Sequence, residues 1–302
     1  MRNKDIGLGL IVVVIWGLNF IAIKVGLSDM PPLLLGAVRF VVVAFPAVFF
    51  IKKPPVSWRW LIALGLTMNV GQFAFLFMGI KYGMPAGLAS LTHQSQAFFT
   101  LGLAVVFLGE QWRWNHMAGL VLAAIGMGVI GLQQNVNMTI LGFWLVLAAS
   151  FSWACGNVIM RKATQGVPPF SMLALVIWSG ATAILPLGLL SLIFEGPSSW
   201  VVAFDIFSWP TMVSLFYLAY AATFGGYGLW GKLMFRYPAS KVAPFALLVP
   251  IVGMSCSVLF LGESLSLWQM FGAILVMAGL VINVFGTRWM KNTSIIPQDS
   301  DN

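Results

Sequence analysis

A small set of polar side chains interrupts otherwise apolar stretches of this sequence. Arg39 follows Pro32 by seven residues, Gln72 and Gln96 fall near the middle of apolar runs, and Asn69 and His93 precede them by one helical turn. Asn19 and Asn157 stand beside Trp16 and Trp153. If the runs are helices, residues three apart share a face, so Asn69 with Gln72 and His93 with Gln96 make two polar faces. Turned toward each other, they would line a cavity suited to the amine, carboxylate and hydroxyl or ester groups of a small amino acid. Arg39 would hold a carboxylate there through paired hydrogen bonds. A structural reading stands beside this one, because Asn, Gln and His also bond between packed membrane helices and an arginine can reach outward or tie helix ends together. Trp178 and Trp230 are candidates for the cavity wall, among 13 tryptophans of which most belong to interfaces or packing.

The depth of these groups gives them weight. At about 1.5 Å per residue, Arg39 lies roughly 10 Å inside its span, where an arginine costs at least ~2.5 kcal/mol near the helix centre. His93 is the one deeply placed side chain that titrates near neutral pH, which makes it the candidate for proton coupling; a neutral, hydrogen-bonded histidine is the alternative. The eight carboxylates (Asp5, Asp29, Glu110, Glu195, Asp205, Glu263, Asp299 and Asp301) are all expected in loops or tails. Glu110 and Glu263 are expected to cap helix ends or to pair at the membrane surface.

Other chemistries lack their residues. His93 and His116 are the only histidines, and Cys155 and Cys256 sit far apart in apolar runs as expected buried hydrophobes, so no disulfide, metal or cofactor is expected. There is no GxSxG or HExxH set for an enzyme. Gly126 to Gly131 matches GxGxxG but lies late in an apolar helix, where close packing explains it. Gly225, Gly228 and Gly231 suggest a similar smooth face. The basic residues are scattered singly or in pairs, which argues against nucleic acid as a partner despite the net charge of +8.

The elements that must position the polar groups follow from composition. With 60% hydrophobic and 8% charged residues and a mean hydropathy of +0.95, the 302-residue chain belongs in a lipid bilayer. Proline, glycine and charge divide it into ten helical spans: 6–24, 32–51, 58–80, 86–107, 114–132, 141–161, 170–194, 209–231, 241–261 and 267–287. Placing both termini in the cytoplasm puts thirteen Lys and Arg residues inside and only Lys24 and Lys81 outside, as the positive-inside rule requires.

The chain is also duplicated. Pro85–Gly126 pairs without a gap with Pro238–Gly279 at an offset of 153, and Asn19–Lys24 pairs with Asn157–Lys162 at an offset of 138. The 15-residue excess falls around 195–209, where Trp200, Phe204, Phe207 and Trp209 suggest a short helix on the membrane surface or an aromatic loop. Five spans per copy is an odd number, so the copies must be antiparallel, the inverted-repeat arrangement of many secondary transporters. The expected architecture is an all-α integral membrane protein with repeats at 1–135 and 136–290 and a cytoplasmic tail at 291–302. Pro244 and Pro250 predict a broken ninth span whose mate has no such prolines.

Trp16-Gly17-Leu18-Asn19-Phe20, Lys24-Val25-Gly26-Leu27, Met30-Pro31-Pro32, Arg39-Phe40, the two Leu-Gly-Glu turns at 108–110 and 261–263, and Gly119 and Gly272 together resemble the EamA branch of the drug/metabolite transporter superfamily over roughly 6–290. Within it, Gly83–Leu91, Gln94–Thr100, Ser152–Asn157 and Tyr227–Gly231 are similar to bacterial exporters of O-acetylserine and cysteine; His93 departs from that pattern. The resemblance implies a bacterial inner-membrane, secondary-active exporter of small amino-acid metabolites working by alternating access. Export of another small substrate, such as an aromatic amino acid, a nucleobase or a toxic compound, remains the alternative.

Overall fold

Among the described residues, ten helices are long and apolar enough to cross a membrane: α1 (Asn3–Asp29), α2 (Pro32–Phe50), α3 (Trp58–Lys81), α4 (Ala86–Leu108), α5 (Trp114–Leu132), α6 (Ile140–Ala163), α7 (Met172–Phe194), α8 (Trp209–Arg236), α9 (Lys241–Leu261) and α10 (Leu267–Gly286). The computed structural model describes residues 1–111, 113–133 and 138–293, as backbone alone at 239–240 and 287–293. The expected boundary between the repeats at 135/136, the tail from 294 onward, and Asp299 and Asp301 lie outside the described residues.

Local chemistry explains most helix ends. Pro32 opens α2 at a position where its missing N–H is not needed. Gly109 and Gly262 end α4 and α9 with φ of 68° and 64°, a left-handed conformation that a Cβ disfavours. The surface connection forms the short helix Pro197–Asp205, and the Trp200 indole N–H donates to Ser191 Oγ at 2.9 Å. Cys155 and Cys256 are half-buried rather than buried.

The inverted symmetry is visible where α5 crosses α10. A Cβ built on Gly119 would lie 2.6 Å from the Gly279 carbonyl oxygen, and one on Gly126 would lie 2.6 Å from that of Gly272. Gly119 and Gly272 are repeat mates, as are Gly126 and Gly279, so the two contacts exchange under the repeat. The GxGxxG match is therefore a packing surface in part: Gly131 meets Phe143, whereas a Cβ on Gly128 would meet nothing within 4 Å. In α8 the expected smooth face is displaced. The tight position is Gly226, beneath the Trp16 indole, while Gly228 faces open space. A tryptophan contributed by α1 sets the close approach, and spacing within α8 carries no trace of it.

Irregular backbone recurs in mates. α3 and α8 contain π-helical segments at Gly65–Gly71 and Tyr217–Tyr227. α9 breaks between Ala239–Ala246 and Val249–Leu261, and α4 also breaks, at the 3-10 turn His93–Ser95, without a proline. Hydroxyls do this work in α4: the Thr92 carbonyl accepts from Ser95 Oγ at 2.5 Å and from Ser150 Oγ of α6 at 3.3 Å. Such back-bonding competes with the helical ladder.

Carboxylates join the halves at both rims. Leu33 and Leu34 at the start of α2 donate backbone N–H groups to Glu195 at 2.7 and 3.0 Å, and Ala86 and Gly87 at the start of α4 donate to Glu263 at 2.7 and 3.0 Å. Both satisfy otherwise unpaired donors at a helix N-terminus. Asp29 takes the Ser208 backbone N–H at 3.2 Å and the Thr211 hydroxyl at 2.5 Å where α8 begins. At the opposite rim, Glu110 pairs with Arg161 at 2.5 Å, and Asp5 accepts from Arg236 at 3.1 Å and Tyr237 at 2.8 Å. Asp5 and Asp29 thus lie within the ends of α1 rather than in loops; a long first helix carries each to a partner on α8 or just beyond it. Glu263→Ala is expected to destabilise the protein by about 2–4 kcal/mol, because two hydrogen bonds to a charged acceptor contribute ~1.5–3 kcal/mol each before partial replacement by water. Thermal unfolding in detergent checks it; a loss well below 1 kcal/mol would mean that water replaces the carboxylate.

Candidate functional site

A cavity of about 330 Å³ lies between the halves, lined from α1, α2, α3, α4, α6, α7, α8 and α9. That volume is at the low end of small-molecule sites, ~300–1,000 Å³. Among the described residues, α5 and α10 contribute nothing to it; their glycine crossing stands apart.

Eight of the nine residues singled out from the sequence line this space: Asn19, Arg39, Asn69, Gln72, His93, Gln96, Asn157 and Trp230. Trp178 does not. Its indole N–H donates to the Ile51 carbonyl at 2.9 Å, and its ring packs edge-on against Trp58 at 5.8 Å. α2 breaks at Pro46, a position its proline marks in the sequence, and the end of that span lies within reach of α7, a contact that the sequence pattern does not reveal. Trp230 does line the cavity and contacts Trp16 at 5.2 Å.

Most of the amides already have hydrogen-bond partners. Gln72 Nε2 lies 3.4 Å from His93 Nε2, and the His93 ring meets Trp153 edge-on at 4.8 Å. Asn157 Nδ2 donates to Gln96 Oε1 at 3.0 Å and to Thr100 Oγ1 at 3.1 Å, linking α6 to α4. Asn69 Nδ2 donates to Ser179 Oγ at 3.2 Å, linking α3 to α7. These groups therefore bond between helices and border the cavity at the same time.

Two side chains differ. Asn19 Oδ1 and the Nε and Nη1 atoms of Arg39 are buried with no hydrogen-bond partner among the described residues. Arg39 is 3% exposed, and its guanidinium carbon stands 4.0 Å from the centre of the Phe73 ring and 5.6 Å from that of Phe40. A desolvated cation over an aromatic face gains about 2 kcal/mol. This orients the guanidinium without using its N–H groups. Phe73, Tyr227, Ser179 and Thr223 also line the site. Sequence reasoning missed them, although Phe73 and Tyr227 lie next to residues or motifs already marked.

The cavity is unequal along the membrane normal. Met160, Met172 and Trp230 extend it toward the rim at which α1 begins. Toward the other rim, α4 and α9 close together: a Cβ on Gly253 would lie 2.6 Å from Ser90 Oγ, and one on Gly87 3.1 Å from the Met254 Cα.

Comparison with known proteins agrees with this architecture. Residues 3–132 and 140–285 match the model of the EamA-like transporter family, one segment for each half. A Salmonella typhimurium protein named "Probable amino-acid metabolite efflux pump" is 50% identical over 298 residues, covering 98% of this chain and 99% of that one. An Escherichia coli protein of the same name is 47% identical over the same length and coverage. A solved crystal structure of an 18% identical protein superposes with a TM-score of 0.63 over 96% of this chain and 99% of its own, which supports the fold. With both halves of the chain matched and full-length relatives near half identity, this multi-pass membrane protein belongs to the EamA-like transporter family.

Proposed function

We propose that the protein exports small amino-acid metabolites, O-acetylserine and cysteine among them, from the cytoplasm of a bacterium across its inner membrane. The observation that carries this reading is Arg39: a buried guanidinium with free N–H groups, facing a small cavity bordered by neutral amides. A carboxylate is the ligand that satisfies such a group, and Asn19 Oδ1 is a free acceptor for an amine. The names of the two bacterial relatives point to the same class of cargo.

The inverted halves support alternating access, since two antiparallel copies supply two nearly equivalent packings around one site. With thirteen basic residues favouring cytoplasmic termini, the rim toward which the cavity extends is the cytoplasmic one, the side from which an exporter loads. His93, bonded to Gln72 within the site, is the side chain through which a proton gradient would act. Aromatic walls from Trp16, Trp153 and Trp230 favour a second reading, export of aromatic amino acids. Counterflow in proteoliposomes with labelled cysteine, O-acetylserine and tryptophan, repeated at several pH gradients, tests all of this. Saturable exchange of the first two is expected; no flux of either sinks the specific claim, tryptophan flux alone selects the second reading, and indifference to the gradient removes His93 from coupling.

A further inference from the structure

Formal charge around the cavity is unbalanced. Arg39 is the only Lys, Arg, Asp or Glu side chain in its wall among the described residues. Five of the six described carboxylates, Asp5, Asp29, Glu110, Glu195 and Glu263, are held at the rims by partners of their own. The empty site therefore carries one buried positive charge and no acid to face a second one.

An occupant changes that balance according to its own charge. A free amino acid is a zwitterion, so its carboxylate neutralises Arg39 but its ammonium leaves the occluded site with a net charge of one. For that ammonium the cavity offers Asn19 Oδ1 and aromatic rings, with no carboxylate. An uncompensated ion away from water is costly. An amino acid whose nitrogen is acylated is a simple anion. Its carboxylate pairs with Arg39 to give a neutral complex, and its amide N–H and C=O are the neutral groups that Asn19 and the Gln72–His93 pair can hydrogen-bond. Primary amines that lack a carboxylate would place two positive charges in one small cavity.

We propose that the preferred cargo of this site is an N-acylated amino acid, a monoanion, and that free amino acids are the weaker substrates. The inference rests on the reading of the Arg39 cavity as the substrate site, and it reverses the order of affinity expected if free amino acids were the preferred cargo. Cavity size permits it, since the space of about 330 Å³ leaves room for an acetyl group beside a small side chain.

N-acetylcysteine, cysteine and cysteamine form a test series of one anion, one zwitterion and one cation sharing a thiol. Their binding to the purified full chain can be followed through the fluorescence of Trp16, Trp153 and Trp230 in the cavity wall, and their transport through competition with labelled cysteine in counterflow. N-acetylcysteine is expected to bind at least tenfold more tightly than cysteine, and cysteamine at least tenfold more weakly. Asn19→Asp, which adds the missing acid, is expected to shift the ratio of the first two affinities at least tenfold toward cysteine. Cysteine binding as well as or better than N-acetylcysteine, or an unchanged ratio in the variant, overturns the inference while leaving amino-acid export intact. Tight binding of N-acetylcysteine without any counterflow of cysteine or O-acetylserine has the opposite meaning: the charge argument holds and the assignment of free amino acids as cargo fails.

Discussion

Arg39→Lys is expected to weaken substrate affinity at least ~10-fold, and Arg39→Leu at least ~100-fold, in counterflow or direct binding. Two hydrogen bonds from a guanidinium to a carboxylate contribute ~1.5–3 kcal/mol each, and every 1.4 kcal/mol is about a factor of ten. Lysine keeps the charge but replaces a planar fork with a point donor, and its flexible stem loses the stacking that fixes the guanidinium 4.0 Å from the Phe73 ring. The substrate-free protein should respond in the opposite sense. Because Nε and Nη1 have no partner among the described residues, Arg39→Leu removes a buried unpaired charge and is expected to leave thermal stability in detergent unchanged or raised. Unchanged affinity in the lysine variant would take Arg39 out of the site; a large loss of stability in the leucine variant would assign it a structural role.

Gly126→Val is expected to destabilise the fold, with Gly128→Val two residues away close to neutral. A Cβ at 126 would sit 2.6 Å from the Gly272 carbonyl oxygen and 2.9 Å from the Leu275 Cβ, so α5 and α10 would have to separate. Position 128 is open within 4 Å. Overpacking of this kind costs ~1–3 kcal/mol, equivalent to an unfolding temperature lower by about 2–5 °C for a chain of this size. Thermal unfolding of both variants checks it, and equal stability of the two would mean that the crossing tolerates separation.

The spans were legible because they are set by chemistry that a sequence carries openly. Pro32, Trp58, Trp114 and Trp209 begin helices where division of the sequence by proline, glycine and charge places span starts, and the Leu-Gly-Glu turns end α4 and α9 at left-handed glycines. Repeat arithmetic then supplies the antiparallel halves, which the exchange of Gly119–Gly279 with Gly126–Gly272 makes visible. Depth alone brought Arg39, Gln72 and His93 to one place, because polar groups at mid-span tend to face one another. What the sequence concealed depends on contacts between distant helices. The diversion of Trp178 to the Ile51 carbonyl is a contact between α7 and the end of α2. At the break in α4, a serine on α6 reaches the Thr92 carbonyl beside the local Ser95 hydroxyl, and Gly226 is tight because of Trp16. Apart from Ser95 with Thr92, none of these pairs shares a span, so no periodicity within one span could announce them.

The rim carboxylates bear on how the two halves relate as parts. Asp5, Asp29 and Glu110 belong to the first half and bond residues of the second, while Glu195 and Glu263 belong to the second and cap helices of the first. Each half thus supplies the finishing atoms of the other and lacks some of its own. In manufacturing terms these are not two modules bolted together but two incomplete castings that become a part only when interlocked. A swap of one half for that of a relative must therefore carry these matched ends along with the helices.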